Sequence, residues 1–254
     1  MNQPDAILRL RARSGIRMSS NNPCLVVFCR KPRRGVGKQR LAAAIGAEAA
    51  GQVAAALWDC VREDLIEWPG DAVLAVADPE EEPWGAAELA SLAAGMRAAN
   101  NASRMQVLVQ PPGNLGERLM AVDASLRRAG RERLIFIGSD APALTVALLD
   151  GIAAMLQHAD VVLAPADDGG VVAMAARRAL PPLADLPWSS ELLGEALLAR
   201  CRATGQGVSM TSGSFDVDDL ASLNQASAQL RGDPRPARRR LVTMAARLAA
   251  GAAS

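Results

Sequence analysis

The stretch that decides the fold is Val161-Val162-Leu163-Ala164-Pro165-Ala166-Asp167-Asp168-Gly169-Gly170, in which an apolar run stops at two carboxylates and two glycines. Its first residues predict a buried strand, because a short apolar run bounded by turn residues is typical of one. In open α/β sheets the ligand lies outside the carboxyl ends of the strands, where these aspartates are expected. Glycines there allow the backbone to approach a ligand closely.

Two further segments also place aspartates directly after apolar residues. The run Leu134–Ile137 leads through Gly138 into Ser139-Asp140-Ala141-Pro142, and Phe215 leads into Asp216-Val217-Asp218-Asp219. Asp216 and Asp218 share one face if this segment is extended, because successive side chains alternate along a strand. Three acidic clusters beside strands indicate a site for a divalent metal and phosphate, since Mg²⁺ prefers oxygen ligands.

Each acidic cluster also has a purely structural interpretation. An aspartate such as Asp140 directly after a strand is typical of a turn or a cap. The pair Asp168-Gly169 is favoured in hairpin turns, and Asp218 is a candidate N-cap for the helix that follows it. In the functional interpretation, Asp168 lies near substrate or metal and the glycines clear room for a ligand. The sequence leaves these alternatives open.

Strands and helices alternate along the chain at the spacing of βαβ units. The predicted strands are residues 24–29, 71–77, 105–110, 134–137, 160–164, 170–175 (a strand or hairpin arm) and 208–211. The predicted helices are residues 38–67, 86–98, 115–129, 145–157, 189–204 and 218–230, and one that follows a solvated basic stretch at 235–240. The alternation predicts an α/β fold, a three-layer α/β/α sandwich with a mainly parallel sheet.

The predicted domain organisation is simple. Residues 23–254 are predicted to form a single domain, because no repeat and no low-complexity linker interrupts the alternation. Residues 1–22 are predicted to be a poorly ordered tail, because they carry several arginines and lack the apolar segment of a secretory signal.

Composition narrows the class of protein. The net charge of +1 provides no electrostatic reason to expect a nucleic-acid or membrane partner. Four scattered cysteines without a CxxC pair, with a single histidine, argue against a structural zinc site and for buried, reduced thiols. A cytoplasmic location is therefore expected. No run approaches the roughly 20 apolar residues that span a bilayer.

A basic, glycine-containing loop follows the first strand, with the sequence Arg30-Lys31-Pro32-Arg33-Arg34-Gly35-Val36-Gly37-Lys38-Gln39-Arg40. It opens a helix, whose free N–H groups and dipole attract phosphate. Lys31, Lys38 and Arg40 add cationic donors. The loop is not a P-loop, because Pro32 and Gln39 stand where that motif needs Gly and Ser or Thr. A solvated basic turn is the alternative interpretation.

In order and spacing, these segments resemble an uncharacterised bacterial family of glycosyltransferase-like proteins associated with arsenosugar biosynthesis. That family is related to the molybdenum-cofactor and phospholactate guanylyltransferases. The resemblance spans roughly residues 24–225. The motifs that carry it are Lys31-Pro32…Gly35…Lys38-Gln39-Arg40-Leu41, Leu115-Gly116-Glu117-Arg118, Gly138-Ser139-Asp140-Ala141-Pro142, Pro165-Ala166-Asp167-Asp168-Gly169-Gly170, Trp188-Ser189 and Asp216-Val217-Asp218.

The resemblance implies a nucleotide-diphospho-sugar transferase fold of glycosyltransferase type A. It implies that Asp140, together with Asp216 or Asp218, binds Mg²⁺ or Mn²⁺, and that the Asp168 loop lines the acceptor side. Asp168 is the carboxylate that we expect to orient or deprotonate an acceptor hydroxyl. Asp140 and Asp168 are thus the expected catalytic residues. The expected nucleotide-binding residues are Lys31, Gly35, Lys38, Arg40 and Arg118. The expected substrate-binding residues are Gly169, Gly170 and Trp188.

Two departures from the family pattern bear on substrate choice. Gln39 stands where the family has threonine, which removes a hydroxyl from the nucleotide loop. Val171-Val172 stand where the family has an aromatic pair, which removes a platform for stacking a sugar or base.

The function predicted from these residues is metal-dependent transfer of a sugar from a nucleotide-sugar donor to a small-molecule acceptor. One alternative is a nucleotidyltransferase that uses a nucleoside triphosphate and releases pyrophosphate. Another is a nucleotide-binding or catalytically degenerate family member, which the departures at Gln39 and Val171-Val172 would support. The sequence does not name the base, the sugar or the acceptor, and it leaves the oligomeric state open, with a homodimer among the alternatives.

Overall fold

A computed structural model describes residues 22–98 and 104–252 of the chain. Its strands are β1 (Cys24–Cys29), β2 (Ala72–Val76), β3 (Met105–Val109), β4 (Leu134–Ile137), β5 (Val161–Pro165), β6 (Val171–Ala176) and β7 (Val208–Met210). They form one sheet in the order β3-β2-β1-β4-β6-β5-β7. Neighbouring strands are parallel except at β6, which runs antiparallel to both β4 and β5. The prediction of a mainly parallel sheet is confirmed.

Helices cover both faces of this sheet. They are α1 (Gln39–Ile45), α2 (Ala47–Glu67), α3 (Glu82–Ala98), α4 (Leu115–Arg128), α5 (Val146–Met155), α6 (Leu193–Ala203), α7 (Leu220–Gln229) and α8 (Pro236–Ala252). Side chains of β1 alternate between two cores: Val27 packs with α2, α3 and α5, and Val26 packs with α4 and α6. The predicted three-layer α/β/α sandwich is confirmed.

A third apolar cluster lies beside the sandwich. It joins α1, α2, α7 and α8 through buried leucines, among them Leu41, Leu57, Leu223 and Leu241. This cluster matters for the site, because it anchors α1 and α7, whose N-terminal ends carry basic and acidic side chains respectively.

Two helix predictions were wrong. The single helix predicted for residues 38–67 is interrupted at Gly46, whose φ of 85° is a left-handed conformation that suits glycine. The helix predicted from Ser189 begins only at Leu193, and its N-cap, Leu192, provides no side-chain cap. Ser189 itself has a φ of 64°, which is incompatible with a helical start.

The basic stretch at 235–240 also differs from its prediction. Helix α8 begins at Pro236, so these arginines occupy its first turns. Arg238 is fully buried rather than solvated, and its guanidinium binds Asp64 and Glu63. It also donates to the carbonyl oxygens of Cys60, Pro142 and Leu144. The arginine therefore fastens α8 to α2 and to the segment before α5.

Several other predictions concern the whole chain. All four cysteines are buried and unpaired, as predicted. No helix in the described part of the chain is both long and apolar enough to cross a membrane. The predicted tail at residues 1–22 lies outside the described residues except for Asn22. The assignment of residues 23–254 to a single domain stays a prediction.

Candidate functional site

The candidate site lies at the carboxyl edge of the parallel strands. The loop after β4 carries Asp140, and the segment before α7 carries Asp216 and Asp218. Backbone hydrogen bonds hold them together: the Val217 N–H donates to the Asp140 carbonyl oxygen at 2.9 Å, and the Leu41 N–H donates to the Asp218 carbonyl oxygen at 3.1 Å. Three segments that are distant in sequence therefore meet at one place.

Three carboxylates form the centre of this site. Asp140, Asp216 and Asp218 each offer an oxygen, and these oxygens lie within 4.8 Å of one another. Val217 is fully buried between the two later aspartates, so the prediction that they share a face is confirmed. The interpretation of Asp218 as a helix cap is wrong, because Asp219 caps α7 by accepting a hydrogen bond from the Ser222 N–H at 2.8 Å.

Lys38 binds two of these carboxylates. Its Nζ lies 2.8 Å from Asp140 Oδ2 and 2.8 Å from Asp218 Oδ1. Burial would lower the pKa of Lys38, but the two aspartates outweigh burial and hold this pKa above its ordinary value. Arg40 adds a more exposed ion pair with Asp218 Oδ2 at 2.7 Å. Lys38 and Arg40, two of the basic residues predicted for nucleotide binding, therefore lie at the site and form ion pairs with its aspartates.

Asp216 has a different environment. Burial, followed by the charges of Asp140, Asp218 and Asp168, raises the pKa of Asp216 to about 6. For Asp218, burial acts in the same direction, but the ion pairs with Lys38 and Arg40 outweigh it and lower the pKa. Asp216 is thus a carboxylate that faces other carboxylates, a situation that a divalent cation relieves. Three carboxylate groups are a donor set that fits Mg²⁺ or Mn²⁺.

Asp168 lies on the turn between β5 and β6. This turn is a true hairpin, and Asp168 Oδ1 accepts a hydrogen bond from the Gly170 N–H at 2.9 Å. The structural interpretation of Asp168-Gly169 as a hairpin turn is therefore confirmed. The Asp168 side chain is exposed, yet it lies close enough to contribute to the raised pKa of Asp216. A role for Asp168 in chemistry stays a prediction.

Gly169 is required for a reason other than the predicted room for a ligand. Its φ is 87°, and a Cβ at this position would overlap the carbonyl oxygen of Glu191. The Gly194 N–H also donates to the Gly169 carbonyl oxygen at 2.8 Å. The glycine thus allows the hairpin to pack directly against the start of α6.

A cavity of about 390 Å³ opens beside the aspartates. Of the residues predicted for the site, Asp140, Asp216, Arg118 and Trp188 line it. Lys31 and Gly35 lie on the exposed first loop and do not line the cavity. The apolar wall includes Phe28, Phe136, Met174 and Trp188. The Trp188 indole N–H is committed to the Leu183 carbonyl oxygen at 2.8 Å, so this side chain presents an apolar ring.

The Leu115-Gly116-Glu117-Arg118 motif divides into structural and cavity-lining parts. Glu117 completes a capping box with Asn114 at the start of α4. A Cβ at Gly116 would overlap the Leu183 carbonyl oxygen. Arg118 lines the cavity, and its Nε donates to the Gly113 carbonyl oxygen at 2.7 Å. That bond leaves the outer guanidinium nitrogens of Arg118 available for an anionic ligand.

Sequence reasoning missed three polar residues of the cavity, which are Arg30, Gln110 and Ser139. Arg30 and Gln110 directly follow strands β1 and β3, and Ser139 follows the glycine after β4. A position just after a strand is also what indicated Asp140 in the sequence. Gln110 is the most notable, because only 7% of it is exposed and it follows β3 without any acidic neighbour.

Comparison with known sequences finds a bacterial family model that matches part of the chain. The model described as "Uncharacterized protein conserved in bacteria (DUF2064)" matches residues 69–190, just under half of the chain. This match confirms the resemblance to a bacterial family that the motifs indicate. No curated protein matches the sequence.

Comparison with solved structures establishes the fold. A candidate nucleotide-diphospho-sugar transferase from Desulfovibrio desulfuricans G20 is 21% identical with a TM-score of 0.75, over 91% of this chain and 97% of that one. A 4-diphosphocytidyl-2C-methyl-D-erythritol synthase from Anaerococcus prevotii is 11% identical with a TM-score of 0.50, over 83% of this chain and 99% of that one. The predicted nucleotide-diphospho-sugar transferase fold is confirmed.

Proposed function

Residues 69–190 match the bacterial DUF2064 family, and on that premise we propose that the chain is a metal-dependent transferase that acts on a nucleotide-sugar donor. The observation that carries the proposal is the cluster of Asp140, Asp216 and Asp218 at the edge of a 390 Å³ cavity. The likeness to a candidate nucleotide-diphospho-sugar transferase supports the choice of donor.

The aspartates would hold the metal, and Mg²⁺ or Mn²⁺ bound there would neutralise the leaving diphosphate. Lys38 keeps Asp140 and Asp218 in place, since one ammonium group bridges the two carboxylates. Arg40 and Lys38 would contact the phosphates, and Lys31 and Gly35 would contribute from the first loop. Arg118 would contact the donor from the cavity wall, where its guanidinium is already fixed by Gly113.

In the proposed transfer, the acceptor hydroxyl oxygen forms a bond to the anomeric carbon of the sugar. The bond from that carbon to the diphosphate oxygen breaks, and its electron pair leaves with the diphosphate. Asp168 takes the hydroxyl proton, since it is an exposed carboxylate on the hairpin next to Asp216. Trp188 supplies the apolar wall against which the small-molecule acceptor or sugar packs.

A second candidate function is nucleotidyl transfer from a nucleoside triphosphate with release of pyrophosphate. The likeness to a 4-diphosphocytidyl-2C-methyl-D-erythritol synthase supports it, and the same aspartates would serve. The two functions differ in the leaving group. Turnover that releases a nucleoside diphosphate from a nucleotide sugar favours the first, and pyrophosphate release from a triphosphate favours the second.

The test is thermal unfolding with a panel of nucleotides and nucleotide sugars, with and without Mn²⁺. A ligand at about 100 times its Kd adds about 2.7 kcal/mol to the free energy of unfolding. For a chain of this size, that raises Tm by roughly 5–11 °C. We expect a shift that requires Mn²⁺ in the wild type and is lost in Asp140→Asn.

Asp150→Asn is the matched control, because Asp150 is an exposed aspartate on α5 outside the cavity. This variant should keep the full metal-dependent shift. A wild-type shift that does not need metal, or one that survives in Asp140→Asn, contradicts the proposed site. The absence of a shift with every nucleotide would favour a catalytically degenerate protein.

A further inference from the structure

The ammonium group of Lys38 lies between two of the carboxylates that would hold the metal. Its Nζ is 2.8 Å from Asp140 Oδ2 and 2.8 Å from Asp218 Oδ1, and the lysine side chain is only 12% exposed. The second oxygen of Asp218, Oδ2, lies 2.7 Å from Arg40 Nη2. Cationic side chains therefore engage both oxygens of Asp218 and one oxygen of Asp140.

A divalent ion cannot share this position with the ammonium group. Mg²⁺ binds carboxylate oxygens at about 2.0–2.1 Å, so an ion between the same two oxygens would overlap Nζ. Two positive groups that close together also repel each other strongly. Because Asp218 has no oxygen free of a cation, a metal ion that uses all three aspartates must displace Lys38 or Arg40. Lys38 is the cation that contacts two of the three aspartates.

The backbone of Lys38 is fixed, whereas its side chain can move. Lys38 is the N-cap of α1, and its carbonyl oxygen accepts a hydrogen bond from the Ala42 N–H at 2.8 Å. Its φ of 51° is left-handed, a conformation that a lysine keeps only where the surrounding structure imposes it. The side chain itself is a flexible four-carbon stem. An ammonium group displaced from the aspartates therefore swings about a fixed point and stays near the site.

We propose that Lys38 is a built-in counter-ion of the aspartates, that the divalent metal displaces it, and that this exchange transfers its ammonium group to the phosphates of the donor. The lysine neutralises Asp140 and Asp218 until the metal takes its place. The released ammonium group then has the diphosphate as its nearest anionic partner, so the metal binds before Lys38 contacts the phosphates. This inference rests on the proposed function, since it requires a divalent metal at the aspartates.

The first experiment measures Mn²⁺ affinity in the absence of nucleotide, from the loss of the electron paramagnetic resonance signal of free Mn²⁺. Lys38→Met keeps an unbranched apolar stem and removes the competing charge. We expect Lys38→Met to bind Mn²⁺ at least about tenfold more tightly than the wild type, because the ion no longer has to displace a positive group. If Lys38→Met does not fold, Lys38→Asn replaces it, because asparagine is uncharged and tolerates a left-handed φ.

Arg34→Met is the matched control for the loss of one positive charge. Arg34 is exposed on the same loop, and its ion pair is with Glu48 rather than with the aspartates. Because salt screens exposed charges, this variant should change the Mn²⁺ affinity by less than about threefold.

The second experiment measures the binding of inorganic pyrophosphate by calorimetry with saturating Mg²⁺. Pyrophosphate represents the diphosphate group that both candidate functions share. We expect Lys38→Met to bind it about tenfold more weakly, which corresponds to the loss of one charge-assisted hydrogen bond. Opposite effects on metal and pyrophosphate distinguish the exchange from a merely structural role of Lys38, whose loss would weaken the binding of both.

The outcomes separate this inference from the proposed function. A Mn²⁺ affinity that is unchanged or lower in Lys38→Met overturns the exchange and leaves a metal site standing. Pyrophosphate binding that is undetectable in the wild type, or equally tight in Lys38→Met, overturns the transfer of the ammonium group to the phosphates. No Mn²⁺ binding in either protein overturns the proposed function together with this inference.

Discussion

The buried guanidinium of Arg238 leads to a quantitative prediction for Arg238→Met. Methionine replaces much of the apolar stem but removes the charge and every donor. Asp64 would then lose one of its two arginine partners, and it would retain Arg235 at 2.9 Å. Removing one partner of a buried ion pair costs about 3–5 kcal/mol. The carbonyls of Cys60, Pro142 and Leu144 would also lose a donor.

The expected effect on Tm follows from that range. At 2–4 °C per kcal/mol for a chain of this size, Arg238→Met should lower Tm by roughly 6–20 °C. The assay is thermal unfolding followed by circular dichroism. Arg239→Met is the control, because Arg239 is the next residue of the same helix and is exposed. It should change stability by at most about 0.5 kcal/mol. Equal Tm values for the two variants would refute the fastening role of Arg238.

Three further predictions concern stability, measured by denaturant or thermal unfolding. The pKa of Asp216 is raised to about 6 in the folded protein, so the ionised carboxylate destabilises the folded state. This destabilisation is complete above about pH 6 and is absent below about pH 4. With EDTA present, Asp216→Asn should therefore raise the free energy of unfolding at pH 8 by about 1 kcal/mol, a value discounted for solvent screening. The same variant should leave the free energy of unfolding unchanged at pH 4, and an effect of equal size at both pH values would contradict this. Gly169→Ala should destabilise more than Gly205→Ala, since both have positive φ but only Gly169 faces the Glu191 carbonyl; equal losses would contradict the contact. Thr145→Ala should cost about 1 kcal/mol, because Thr145 Oγ1 caps α5 by accepting from the Leu148 N–H, and an unchanged stability would argue against the cap.

The sheet was readable from the sequence because its strands are apolar runs bounded by polar residues. The bounds of Cys24–Cys29 and Leu134–Ile137 were predicted to the residue, and the hairpin arm that became β6 was recognised from Asp168-Gly169. The break at Gly46 was missed, since the alanine-rich pattern continues on both sides of it. Local pattern alone does not show where a glycine adopts a positive φ.

The site was readable in part, for a related reason. Aspartates that follow parallel strands meet at one edge of a sheet, so the cluster of Asp140, Asp216 and Asp218 was predictable. The partners of Lys38 were not, because they come from positions more than 100 residues away. Arg238 was indistinguishable from its neighbours in a run of three arginines, and only the packing of α8 against α2 turns it inward.

The reversed direction of β6 has a consequence for redesign. Because this strand runs against its neighbours, its first residue, Val171, lies at the edge of the cavity and is partly exposed. The residues after it, 172–176, are buried, and they pack between β4 and β5. A library limited to codon 171 would therefore vary the wall of the cavity while the buried part of the strand stays constant.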